Sequence, residues 1–188
     1  MKINIAVTGG PCTGKSTLAT VLFAELKLGG MDYDLVTEES RKLRDEFGHC
    51  RTPFERFYLW RQQEREELRS TAIDGFVTDT ALFQFYIGAC VHREEERDDL
   101  AVRELFRMCL EIRNADRYQL IVIAKDPDEL AYKNDTSRTA PKKTAREKHR
   151  LTASFLEHFW GDRIIEVWGT SRQRARQVMR RLAKMRAA

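Results

Sequence analysis

The stretch MKINIAVTGGPCTGKSTLA, residues 1–19, decides the fold. Ile3–Thr8 is an apolar, β-branched run of the kind that forms a buried strand. Directly after it, Gly9-Gly10-Pro11-Cys12-Thr13-Gly14-Lys15-Ser16 fits the spacing GxxxxGK[ST], and a helical pattern follows from Lys15 to Leu28. Strand, glycine-rich loop and helix in that order make a phosphate-binding loop. Glycines at 9 and 14 let backbone N–H groups converge on phosphate oxygens at a helix N-terminus, Lys15 reaches the β- and γ-phosphates, and Ser16 ligates Mg²⁺. The expected nucleotide-binding residues are Gly9, Gly10, Pro11, Cys12, Thr13, Gly14, Lys15, Ser16 and Thr17. The loop predicts ATP and Mg²⁺ and leaves the recipient of the phosphoryl group open.

Further short Val- and Ile-rich runs follow at Asp34–Thr37, Phe76–Thr78, Leu120–Ala124 and Ile164–Trp168. Helical patterns lie between and after them, at about Pro53–Ala72, Leu100–Ala115, Thr144–Phe159 and Ser171–Met185. Strands that are apolar on both faces and alternate with helices predict a parallel sheet covered on both sides, with ligands at the carboxyl ends of the strands. No repeat or linker divides the 188 residues, so one domain over 1–188 is expected, with a polar, basic lid at about 126–150 and a basic last helix at about 171–186.

Composition agrees with a packed core. Hydrophobic residues make up 42% of the chain and charged ones 33%, with only 4 Pro and 10 Gly, which excludes disordered and collagen-like chains. Apolar runs such as Leu120–Ala124 fall far short of the roughly 20 residues of a membrane span, and the N-terminus lacks the pattern of a signal peptide. A cytoplasmic protein is expected, with no membrane partner. Cysteines 12, 50, 90 and 109 form no CxxC pair and stand near no histidine at zinc spacing, so reduced thiols are expected. The net charge of +4 is unevenly spread. Residues 170–188 hold seven basic side chains and no acidic one, which leaves the remainder at 26 basic against 29 acidic. Local basic patches of this kind point to anionic ligands.

The acidic candidates fall at the carboxyl ends of strands. Glu38 follows the second strand across the expected cleft from the phosphate loop, where a carboxylate can accept a hydroxyl proton, and Arg41 can hold an anionic group. Acidic residues favoured by a helix N-terminus are the other reading of Glu38 and Glu39. Asp79 ends the third strand, placed to hold Mg²⁺ or the acceptor, or simply to end the strand in a turn. In the lid, Arg138 and then Arg146 are the candidates to neutralise the charge that develops during phosphoryl transfer. Phe54, Phe57, Tyr58, Trp60, Phe83, Phe85 and Tyr86 read either as core or as a pocket stacking on a base. His49, His92, His149 and His158 form no ligand or triad pattern, and no role is assigned to them.

Taken in order, Glu38-Glu39-Ser40-Arg41, the helix carrying Gln62 and Gln63, Phe76-Val77-Thr78-Asp79-Thr80 and Asp135-Thr136-Ser137-Arg138 form a series. They resemble the E-x-x-R, glutamine-bearing helix, D-T and D-x-x-R elements of nicotinamide riboside kinase-like P-loop kinases, a branch often labelled AAA-domain proteins. That branch usually carries a Trp ahead of D-x-x-R, where this chain has Tyr132. The resemblance implies a three-layer P-loop kinase fold around a five-stranded parallel sheet, and it does not imply a hexameric motor. It also implies that Glu38 and Asp79 face the acceptor and Mg²⁺ and that Arg138 belongs to the lid, and Gln62 is a further candidate for substrate contact. The same branch includes phage-encoded kinases that phosphorylate 5-hydroxymethyluracil within DNA, and this chain, with 23 Arg to 10 Lys, is similar to those. A phosphotransferase with an alcohol acceptor is therefore expected: a nucleoside-like acceptor, preferably 5-hydroxymethyluracil in DNA. The alternatives are a free nucleoside or nicotinamide riboside kinase and a nucleotide-dependent regulatory ATPase.

Overall fold

A computed structural model describes residues 1–38, 52–93, 98–124 and 142–187. In chain order the elements are β1 (Ile5–Thr8), α1 (Lys15–Leu28), β2 (Tyr33–Val36), α2 (Pro53–Leu68), β3 (Gly75–Thr78) and α3 (Phe83–Val91). They continue with α4 (Asp98–Asn114), β4 (Leu120–Ala124), α5 (Lys142–Trp160), a 3₁₀ turn at Gly161–Arg163, β5 (Ile164–Val167) and α6 (Ser171–Ala187). The five strands form one parallel sheet in the order β2-β3-β1-β4-β5.

β1, β3 and β4 are buried along their whole length, which is why these runs are apolar on both faces. Alternate side chains serve opposite layers. Ile5, Val7, Val77, Leu120 and Val122 face α1 and α6, where Leu18, Leu22, Val178 and Leu182 cover them. Ala6, Phe76, Ile121 and Ile123 face the other layer, filled by Leu59 and Trp60 of α2, Phe83 of α3, Leu105 of α4 and Leu156 and Trp160 of α5. Each of these large side chains contributes about 1.5–3 kcal/mol on leaving water.

Two elements depart from expectation. The helix expected to run to Ala72 ends at Leu68, because carboxylates at the start of β2 draw the chain away: Asp34 accepts from the Ser70 hydroxyl at 2.8 Å and Asp32 from the Ile73 N–H at 2.8 Å. α3 was not expected at all. Its sequence, FQFYIGACV, is apolar nearly all round because it packs against α2, α4 and α5 together, so it shows no amphipathic period. Trp60, Phe83 and Phe85, read as candidates for a stacking pocket, are core side chains instead, with Phe83 set against Tyr118 and Trp160. The other strand and helix ends lie within two residues of expectation.

Candidate active site

The phosphate loop leaves β1 at the centre of the sheet's carboxyl edge. Backbone φ is positive at Gly9 (139°), Cys12 (67°) and Gly14 (77°), and these reversals curl the loop into a cradle. At Gly9 a Cβ would stand 2.9 Å from the Ala124 carbonyl oxygen, so the loop sits directly on the end of β4. Gly14 is the left-handed N-cap of α1 and supplies no capping side chain, leaving the first N–H groups of α1 directed at the loop's interior. The cradle closes on the Gly10 carbonyl, which accepts from the Lys15 ammonium and the Thr13 hydroxyl, each at 2.9 Å. Thr17 is exposed and Ser16 half-buried at the start of α1.

The loop is held from two sides. On the α6 side the buried Arg174, 3% exposed, donates to the Thr13 carbonyl at 2.7 Å and to the Gly169 carbonyl at 2.7 Å, joining the loop to the turn after β5. On the α5 side His149 Nδ1 accepts from the Gly10 N–H at 3.1 Å. A Cβ on Gly10 would meet the His149 Cβ at 2.8 Å and the Ala145 carbonyl at 3.0 Å, so only glycine lets α5 come this close.

The neighbouring strands bring the acidic candidates to the same edge. β3 pairs with both β1 and β2, and the Asp79 N–H extends the ladder to the Val36 carbonyl at 3.2 Å. Asp79 is thus fixed one residue beyond β3, buried at 6% exposure, with half-buried Glu38 two residues beyond β2. Behind Asp79, buried Gln63 donates to the Thr78 hydroxyl at 3.1 Å, which donates in turn to the Thr80 carbonyl at 3.1 Å. Gln62, the neighbour expected at the substrate, is half-buried on α2. Phe57 packs partly buried against the core, while Tyr58 stands 54% exposed. Arg146 is exposed on α5, and Arg41 and Arg138 lie outside the described residues.

A basic group completes the edge. Lys148 of α5 donates to His92 Nε2 at 3.1 Å, at the end of α3. Burial, with the charges of Arg56 and Lys15 behind it, pulls the Lys148 ammonium down to about 8, against an opposing pull from Glu38. Burial, Lys148 and Arg56 pull His92 down to about 4, so it is a neutral acceptor at neutral pH. Sequence reading missed Arg56, His92, Lys148 and His149. The basic character of the stretch 126–150 is visible in the sequence, but the meeting of Lys148 and His149 with the ends of α1 and α3 depends on packing.

The site fits a magnesium nucleotide. It has a cradle of backbone N–H groups at an uncapped helix start, a lysine, a hydroxyl at Ser16 and a buried carboxylate at Asp79 on one edge. Among the described residues Cys12, Cys90 and Cys109 are free thiols, and no helix is long and apolar enough to cross a membrane.

Sheet order, cradle and flanking helices define the α/β fold of P-loop kinases. The chain is similar in structure to a NadR protein solved with NAD and AMP-PNP, at a TM-score of 0.70 and 19% identity, over 93% of this chain and 47% of that one. It therefore spans about half the length of the NadR chain. It is similar over 97% of its length, at a TM-score of 0.65 and 13% identity, to the whole of a deoxyadenosine kinase from M. mycoides solved with dCMP and dCDP. At these identities the likeness shows the fold. No curated protein matches the sequence. The chain belongs to the AAA domain family, whose model matches residues 4–174.

Proposed function

We propose that this protein is an ATP- and Mg²⁺-dependent kinase that transfers the γ-phosphoryl group to a hydroxyl of a nucleoside-like acceptor. The observation that carries the reading is the meeting, on one sheet edge, of the phosphate cradle with Glu38 and Asp79. Lys15 and the first N–H groups of α1 hold the phosphates, and Ser16 and Asp79 would supply oxygen ligands for Mg²⁺, which when bound would supply neutralisation of phosphate charge. Glu38 takes the acceptor's hydroxyl proton as that oxygen bonds to the γ-phosphorus, and the β–γ bridging oxygen leaves with ADP. Arg138 and Arg146 are assigned to the lid, with Arg41 toward the acceptor. Phe57, Tyr58 and Gln62 are assigned to the acceptor side of α2. The NadR and deoxyadenosine kinase structures, with their bound nucleotides, support a nucleoside-type acceptor.

A narrower acceptor, 5-hydroxymethyluracil within DNA, draws support from the exposed bases Arg172, Arg176, Arg180 and Lys184 along α6, which form a strip suited to backbone phosphates. On that reading the enzyme is phage-encoded and works in the host cytoplasm. One experiment separates the cases. γ-Labelled ATP and Mg²⁺ are supplied with deoxynucleosides, nicotinamide riboside, plain DNA and DNA containing 5-hydroxymethyluracil. Label in a small nucleoside supports the general reading and removes the DNA one, label only in hydroxymethylated DNA supports both, and release as free phosphate alone overturns both. Lys15→Ala should abolish labelling while keeping the fold, and Glu38→Gln should lower kcat by about 10²–10⁴ with little change in ATP affinity.

A further inference from the structure

The basic group beside the phosphate loop has no place in the mechanism above. Lys148 lies half-buried on α5, one residue before the histidine that accepts from Gly10 N–H, so its backbone is anchored against the loop. The Thr152 hydroxyl fixes the same turn, donating to the Lys148 carbonyl at 2.7 Å while accepting from the Gln84 amide at 3.2 Å. That amide also donates to the Thr8 hydroxyl, on the last residue of β1 before the loop. The Lys148 ammonium lies where Lys15 of α1, Arg56 of α2 and Glu38 beyond β2 all act on its charge, and its hydrogen-bonding partner is the neutral His92 of α3. Gathering three cations in a partly desolvated place costs free energy in the folded protein, and phosphate oxygens would offset it. A neutral imidazole is a weak partner for an ammonium, readily exchanged for an anionic oxygen.

We propose that Lys148 contacts the transferring phosphoryl group and that His92 is the positioning residue that aims its side chain. This rests on the kinase reading, and it adds a cation on α5, seated against the loop, to the lid arginines drawn from sequence. Lys148 forms no covalent bond; its ammonium balances the charge that grows on the γ-phosphoryl oxygens.

The test compares the full-length wild type with Lys148→Met, Lys148→Arg and His92→Ala, measuring calorimetric affinity for the β,γ-imido analogue of ATP with Mg²⁺, kcat and KM with the labelled acceptor, and Tm. Loss of one charge-stabilising donor should lower kcat by about 100-fold in Lys148→Met, or weaken the analogue at least about tenfold, with Lys148→Arg recovering most of the loss at unchanged Tm. His92→Ala should show a smaller loss in kcat than Lys148→Met, with ATP KM nearly unchanged. Wild-type affinity and turnover in Lys148→Met overturn the proposal. Equal losses in Lys148→Met and Lys148→Arg with a matching fall in Tm overturn it too, since they mark a purely structural role. A wild type that binds the analogue but labels no acceptor overturns the kinase reading, and analogue affinity then judges the Lys148 contact by itself.

Discussion

His92 accepts a hydrogen bond from an ammonium and lies within reach of a guanidinium's charge, so protonating it sets a third cation against two. The folded protein holds it near 4, whereas an unfolded histidine titrates near 6.5. Between these values the unfolded chain binds more protons, and folding stability must fall as pH drops from about 6.5 toward 4. Urea denaturation at several pH values should show this acid limb, and His92→Gln should flatten it; an unaltered limb would place the titrating group elsewhere. For Lys148 the charged form persists below about 8, so the proposed contact of Lys148 with the phosphoryl group predicts kcat/KM falling above that pH. No local pattern announces either residue. His92 and Lys148 are 56 positions apart, and Gly10 and His149 are 139 apart. The same holds for the glutamine behind Asp79: helical spacing offers Gln62 and Gln63 equally, and only packing of α2 on β3 turns Gln63 inward.

At the scale of elements, α6 is more than a cover for α1. Through Arg174 it holds two carbonyls, one in the phosphate loop and one in the turn that starts the helix. Arg174→Met should leave both without that donor, lowering stability by about 1–3 kcal/mol in urea denaturation and raising KM for ATP more than KM for the acceptor. Arg174→Lys should recover only part, because a single ammonium cannot reproduce the guanidinium fork. Unchanged KM for ATP in Arg174→Met would mean that the loop keeps its shape unaided. The strands and the phosphate loop were legible because each is written in consecutive residues, a buried parallel strand as an apolar run and the loop as glycines and a lysine at fixed intervals. α3 was not, since a helix enclosed by three others loses the polar face by which amphipathic helices are recognised.

At the scale of the whole molecule, the seven basic side chains of the last 19 residues divide by use. Arg174, Arg181 and Arg186 bond within the protein, the last two to the Asp162 carbonyl and the Asp74 carboxylate. Arg172, Arg176, Arg180 and Lys184 remain as an exposed strip. Removing α6 would strip Ala175, Val178 and Leu182 from the core, so exchanging the exposed bases for glutamine isolates their role better. With a DNA acceptor, replacing Arg172, Arg176 and Arg180 should shallow the slope of log affinity against log salt by about 0.9 for each DNA phosphate no longer neutralised. With a small acceptor, turnover and salt dependence should stay as in the wild type.

The strand order carries a consequence for how the protein is made. β1 lies at the middle of the sheet, and Ile5 pairs with Leu120. At about 5–20 residues per second, a ribosome needs roughly 6–23 s after releasing the first of these residues before it delivers the second. Throughout that interval the nascent chain carries a largely apolar strand whose β4 edge is open, and Gly9 has no Ala124 on which to seat. A polypeptide stalled before residue 120 should therefore be a client for chaperones and blind to ATP.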